Sequence, residues 1–237
     1  MDEYINIHIG DETLDDLIDA NQDSDIISIV WKIFGNAEIT EISDVPVPKQ
    51  FLRAQRGEIQ KHRFFKSLYR TTIKSVRTGL HRLIFPQEAE PVKWVISNGK
   101  DIPTEQYPGV LHVQDDYGYE VAQINHYALR SRDGFLIKKA RGRANHFKQN
   151  IEFDYWKKFD KNEELDDSIV RKFEKCEALK YELFDRNPML KELHFGGLEQ
   201  HREKAENLLK DPAFQNIIQR IPRYQQNLKA KQVAVNK

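Results

Sequence analysis

Asp2 and Glu3 stand together at the head of "MDEYINI", directly before a stretch in which apolar and polar side chains alternate. A carboxylate at a strand terminus is a common way to hold Mg²⁺ or Mn²⁺ through one or two oxygens while a diphosphate supplies the others. The plain alternative is a solvated chain start with two charges. A second set lies in "INHYALRSRDGFLIKKARGR", where His126 and Tyr127 close a strand and Ser131 is placed to cap the next helix. A helix N-terminus attracts anions, and Lys138, Lys139, Arg141 and Arg143 add positive charge further along. His126 is able to ligate a metal or contact a diphosphate, although a single His is as readily a structural side chain. A third set is Asp166 and Asp167, just before an apolar helical pattern. A carboxylate at such a terminus stays ionised, as a general base for a hydroxyl must be, and helix capping accounts for the same residues. In "WKIFG", Trp31, Ile33 and Phe34 read as core or pocket wall, and Gly35 ends the strand.

The elements that must position these residues are legible in the patterning. Alternation predicts a strand over residues 4–10, and Leu14, Leu17 and Ile18 at helical spacing predict a helix within 11–22, with acids in its first turn. A β-branched run over 25–35 is too apolar for a strand exposed on both faces. Further strands are expected at 64–70, 81–85, 109–115 and 119–129, the last two joined across Asp115–Gly118. After the Ser131-capped helix come helices at 150–159, 167–185, 198–209 and 212–220, and past Arg223 the pattern fades into an expected frayed tail. The fold class is α/β, a partial Rossmann-like mixed sheet with a helical C-terminal region. The expected divisions are 1–165, a helical extension at 166–222 and a flexible tail at 223–237.

A chain of 237 residues with 39% hydrophobic side chains can bury a sizeable core, which argues against disorder. No apolar run reaches the roughly 18–20 residues a membrane helix needs, and the acidic start carries no secretory pattern. One cysteine, Cys176, cannot form an internal disulfide, so a reducing, cytoplasmic setting is the simplest expectation. The zero net charge hides an asymmetry: residues 1–50 carry twelve acids against Lys32 and Lys49, while 51–100 carry eleven bases against three acids. Residues 129–149 hold seven bases and one acid. Basic segments of this kind suit phosphate, or pair with the acidic opening.

Taken in order, "MDEYINI", "IVWKIFG", "HRFFK", "GLHR", "INHYALRSRDGFLIKKARG" and "LDDSI" resemble the blocks of bacterial family-2-like glycosyltransferases of the GT-A type. The resemblance covers roughly residues 1–175, and the "INHY…RG" block is its most specific part. It implies a GT-A-like domain and metal-assisted transfer of a sugar from a nucleotide-sugar donor, a UDP-sugar in the first instance, to a hydroxyl of a glycan or other acceptor. Asp2 matches the second Asp of the family's Asp-x-Asp-Glu-aromatic motif, with Met1 at the middle position. The first Asp and the nucleotide-binding half would lie before residue 1. By the same resemblance Asp2 and His126 handle the divalent metal, Mn²⁺ or Mg²⁺, and the diphosphate. Ser131, Lys138 and Arg141 lie near the leaving group, and Asp167 is the general base with Asp166 as the other candidate. The acidic pair more often reads Glu-Asp in the family, which leaves the identity of the base open.

Two other readings compete. One is a family member that keeps the fold without catalysis, since the first Asp of the motif is missing. The other uses the interleaved aromatic and basic residues of 51–82 to bind nucleic acid, although a basic strand pair lining a cleft explains the same residues. The expectation is therefore no nucleic-acid partner and no transmembrane segment.

Overall fold

The run "IISIVWKI" becomes strand β2 (Ile26–Ile33), and seven of its eight residues are buried. Such a strand must have neighbours on both edges and cover on both faces. In the computed structural model it has both neighbours. Residues 2–57, 64–73, 77–85, 92–103, 117–142 and 150–235 are described. They divide into two units, each discontinuous in sequence: residues 1–33 with 54–126, and residues 34–53 with 127–237. These boundaries differ from those expected at residues 165 and 222. The architecture is mixed α/β.

The first unit is built on a mixed sheet of order β1-β8-β2-β4, from β1 (Glu3–Ile7), β8 (Ala122–His126), β2 and β4 (Phe65–Tyr69). β1 is antiparallel to β8, β8 is parallel to β2, and β4 is antiparallel to β2. A short β7 (Trp94–Ile96) runs parallel to the first residues of β2. Between β2 and β7 the chain also forms β3 (Arg53–Ala54), where it re-enters this unit, and the hairpin of β5 (Arg77–Thr78) with β6 (Leu83–Ile84). One core cluster gathers Ile26, Val30, Phe65, Leu83, Trp94 and Tyr117. The helix expected within 11–22 is α1 (Leu14–Asp19), started by a capping box in which Thr13 Oγ1 accepts from Asp16 N and the Asp16 carboxylate accepts from Thr13 N. The strand expected at 81–85 shrinks to the two residues of β6. Residues 109–115, Met1 and Arg143 lie outside the described residues.

The second unit is helical. α2 (Val47–Gln50) is one turn. α3 (Arg132–Arg141) packs on α6 (Pro188–Lys210), which also packs on α5 (Phe173–Arg186) and α7 (Pro212–Val235). α4 (Phe153–Phe159) packs on α7 and buries Phe153, Trp156 and Phe159. β9 (Glu164–Leu165) and a 3₁₀ turn at Val170–Lys172 lead into α5. Two expectations are corrected. α6 begins ten residues before 198, at Pro188 behind an Asn187 cap, and runs through Gly196 and Gly197. Both glycines are open to space, so neither breaks the helix by packing. α7 continues past Pro222 to Val235, so the segment after Arg223 is helical rather than a frayed tail.

Candidate functional site

The β1–β8 register sets Glu3 directly across from His126, one residue after Asp2. The His126 ring lies 4.1 Å from the Trp31 ring on β2, and Lys66 of β4 sits 5.8 Å over that same Trp ring while reaching 3.7 Å from Glu3 Oε2. Four strands thus put Glu3, His126, Trp31 and Lys66 on one sheet face. Phe64 and His81 extend the aromatic surface at 5.4 and 5.3 Å from Trp31. Burial pushes the Glu3 carboxyl up, Lys66 partly opposes it, and Asp2 adds to the rise. A carboxylate deprived of water and placed beside a second acid gains from a cation, because the cation replaces the lost solvation. The sequence paired Asp2 with His126. The structure brings both to one strand junction and makes Glu3 the residue opposite the imidazole.

In the second unit Ser131 caps α3 as expected, its Oγ accepting from Gly134 N at 3.1 Å. The expected anion site at that helix start is corrected. The N–H groups of Arg132 and Asp133 donate to the carbonyls of Ile39 and Thr40, both at 3.0 Å. With Gly134 bound to Ser131, the first three donors of the helix are consumed inside the protein. Lys138 Nζ donates to the Ala128 carbonyl at 2.8 Å and to Tyr155 Oη at 3.0 Å, while Arg141 stands exposed in the last turn. The acidic pair divides its roles. Asp166 is buried, its Oδ1 accepts from the backbone N–H and hydroxyl of Ser168, and its N–H donates to the Leu52 carbonyl. It caps the turn. Asp167 is exposed, and its carbonyl accepts from Val170 N.

Among the described residues, three basic side chains of the 51–82 segment bond to backbone carbonyls of the fold. Lys66 Nζ donates to the Leu80 carbonyl, Arg70 Nε to the Ser24 carbonyl, and Arg82 Nη1 to the Leu83 carbonyl.

A feature that sequence reasoning missed is a pocket of about 300 Å³ in the second unit. It forms where residues 37–38, Arg53, residues 160–163 and residues 225–229 of α7 meet. Asp160, 2% exposed, is its hub. Oδ1 of Asp160 accepts from Asn36 N at 3.0 Å and Asn162 Nδ2 at 2.6 Å, and Oδ2 accepts from Trp156 Nε1 at 3.0 Å. Gln225 of α7 adds a longer contact to Oδ2 and a 2.8 Å bond to Asn36 Oδ1. One signal was available in the sequence. Gly35 closes "WKIFG", and a Cβ there would sit 2.3 Å from Asn162 Oδ1 and 2.4 Å from the Lys161 carbonyl oxygen. Only glycine admits that approach.

No family model, curated protein or solved structure matches this chain.

Roles therefore rest on the arrangement itself. Among the described residues, no three His, Cys, Asp or Glu side chains group so as to hold a metal unaided, and no helix is long and apolar enough to cross a membrane. The β1–β8 register sets Glu3 opposite His126 with Asp2 the residue before it, and these three do not make up such a group.

Proposed function

We propose that the chain is a GT-A-type, family-2-like glycosyltransferase that moves a sugar from a nucleotide donor, a UDP-sugar, to an acceptor hydroxyl. The observation that carries this reading is the β1–β8 register, which sets the acidic strand head beside His126. Both belong to the motif blocks that resemble the family, and they are 123 positions apart in sequence.

Bound at that junction, Mn²⁺ or Mg²⁺ would neutralise the charge that builds on the departing nucleoside diphosphate. The chain's own contributions are positional and electrostatic. Asp2 and Glu3 supply carboxylate oxygens, and Trp31 and the sheet hydrogen bonds fix the His126 ring beside them. Lys66 brings a positive charge to the same face. For the base that takes the acceptor proton the reading keeps Asp167, with Asp166 as the other candidate, from the resemblance alone.

Calorimetric titration with UDP, with and without Mn²⁺, tests the reading. The expected result is binding that requires Mn²⁺ and weakens about tenfold or more in Asp2→Ala. Binding indifferent to Mn²⁺ or to Asp2→Ala overturns it. Complete absence of UDP binding also overturns it and leaves a non-catalytic family member as the better account.

A further inference from the structure

We propose that the pocket in the second unit is a binding site for a monosaccharide-sized polyol bearing one anionic group, with Arg53 taking the anion. This site is independent of the acidic strand head and of the transferase reading.

Five charged side chains line the pocket, Glu38, Arg53, Asp160, Glu163 and Lys229, and the fork of Arg53 decides the class of ligand. Glu38 and Lys229 form an ion pair at 2.7 Å and cancel at the rim. Asp160 is enclosed by backbone, amide and indole donors, so its charge is already answered by dipoles within 3.0 Å and needs no cation from outside. Arg53 differs. Its Nε donates to the Asn162 carbonyl at 3.2 Å, which fixes the plane of the guanidinium. Among the described residues, no carboxylate lies within 4 Å of its terminal nitrogens, and the residue is exposed. A planar fork anchored at one nitrogen, with two left to donate, is the arrangement that grips a carboxylate or phosphate oxygen pair.

The rest of the lining is hydrogen-bonding rather than apolar. Asn162, Glu163 and Gln225 line the same space, with Leu228 as the larger apolar contact. Side-chain amides and carboxylates take hydroxyl groups. The volume of about 300 Å³ lies at the small end for ligand sites. The walls are also held in a costly backbone shape. Ala37 and Glu38 have φ of 51° and 59°, in the left-handed region that side chains disfavour. They stay there because Ala37 N donates to Asn162 Oδ1 at 2.8 Å and Glu38 is tied to Lys229. Two successive strained residues over a polar concavity mark a surface shaped for something other than packing.

Saturation-transfer NMR on the full chain, with D-glucuronate, D-glucose 6-phosphate and neutral D-glucose as probes, tests the site. Either or both anionic sugars should give saturation transfer, with affinity about tenfold above that of glucose. The stronger of the two distinguishes a carboxylate from a phosphate ligand. Arg53→Gln should remove that advantage, and Arg53→Lys should keep part of it. Both variants should keep the wild-type melting temperature, because the Arg53 side chain is exposed and its hydrogen bond to the fold is the single one to the Asn162 carbonyl. Equal transfer from all three sugars, no transfer from either anionic sugar at 10 mM on the order of weak binding, or affinity untouched by Arg53→Gln each overturns the proposal.

Discussion

Replacing Asp160 by Asn keeps the shape of the hub and changes only one atom's role. The carboxylate accepts on both oxygens, from Asn36 N and Asn162 on one side and from Trp156 Nε1 and Gln225 on the other. The new NH₂ group must face one of these pairs of donors. The less costly choice is the Trp156 side, because the Gln225 contact there is long, at 3.4 Å, whereas the other oxygen accepts at 2.6 and 3.0 Å. The Trp156 bond is then lost outright, with a buried indole N–H left facing another donor. A hydrogen bond to a charged group contributes about 1.5–3 kcal/mol. The two bonds on the other oxygen fall from charged to neutral strength. Removing a buried charge returns some desolvation energy, so the net loss should be about 3 kcal/mol. Urea unfolding followed by circular dichroism at 222 nm is the suitable assay, because α2 to α7 all lie in the second unit. Tryptophan fluorescence would mix Trp156 with Trp31 and Trp94 of the first unit. Burial, then Asp160, then Glu163 push the Tyr224 phenol up. The same variant should therefore lower the pH at which Tyr224 ionises. A stability within about 0.5 kcal/mol of wild type would refute the hub.

Gly35→Ala should cost several kcal/mol, on the order of an overpacked core substitution, because the new methyl meets the Lys161 carbonyl oxygen at 2.4 Å. A thermal melt at the wild-type temperature would show that the two segments do not approach so closely. Asp44 yields a pH test. Burial pushes its carboxyl up, but hydrogen bonds from Lys180 and His194 and their charges outweigh this and hold it below the usual range. A lowered folded value means the stabilisation is complete above the ordinary Asp value of about 4 and is lost as pH falls through the folded value. The melting-temperature gap between wild type and Asp44→Asn should be present at about pH 5 and close as the pH falls below about 4. A gap unchanged down to about pH 3 would refute it.

Local patterning was legible wherever one face or one cap decides the outcome. Alternation located β1, the β-branched run located β2, and Ser131 and Asp133 announced the start of α3. The glycine pair at 196–197 misled because helix propensity penalises glycine, whereas packing against α3, α5 and α7 carries α6 through it. The second half of α7 hid for a related reason: Pro222 and a run of polar residues weaken the apolar stripe that a sequence reading needs. The acidic strand head and His126 were visible as residue types, but only the register shows that Glu3 faces the imidazole. Asp160 was invisible among the acids of "FDKNEELDD". What distinguishes it is Asn36, 124 positions away, and long-range partners leave no local trace.

The position of β8 in its sheet has a bearing on how the chain is made. β1 and β2 emerge first, yet they are not neighbours, and the strand that lies between them comes last. On a ribosome adding 5–20 residues per second, the about 90 residues from Ile33 to Ala122 take roughly 5–20 seconds to appear. Throughout that interval the β1 edge stays unpaired, and on its facing edge β2 gains only β7, along Ile26–Ser28, once Trp94–Ile96 has emerged. The nascent first unit is therefore a candidate client for chaperones that shield β-edges until Ala122–His126 slots into place.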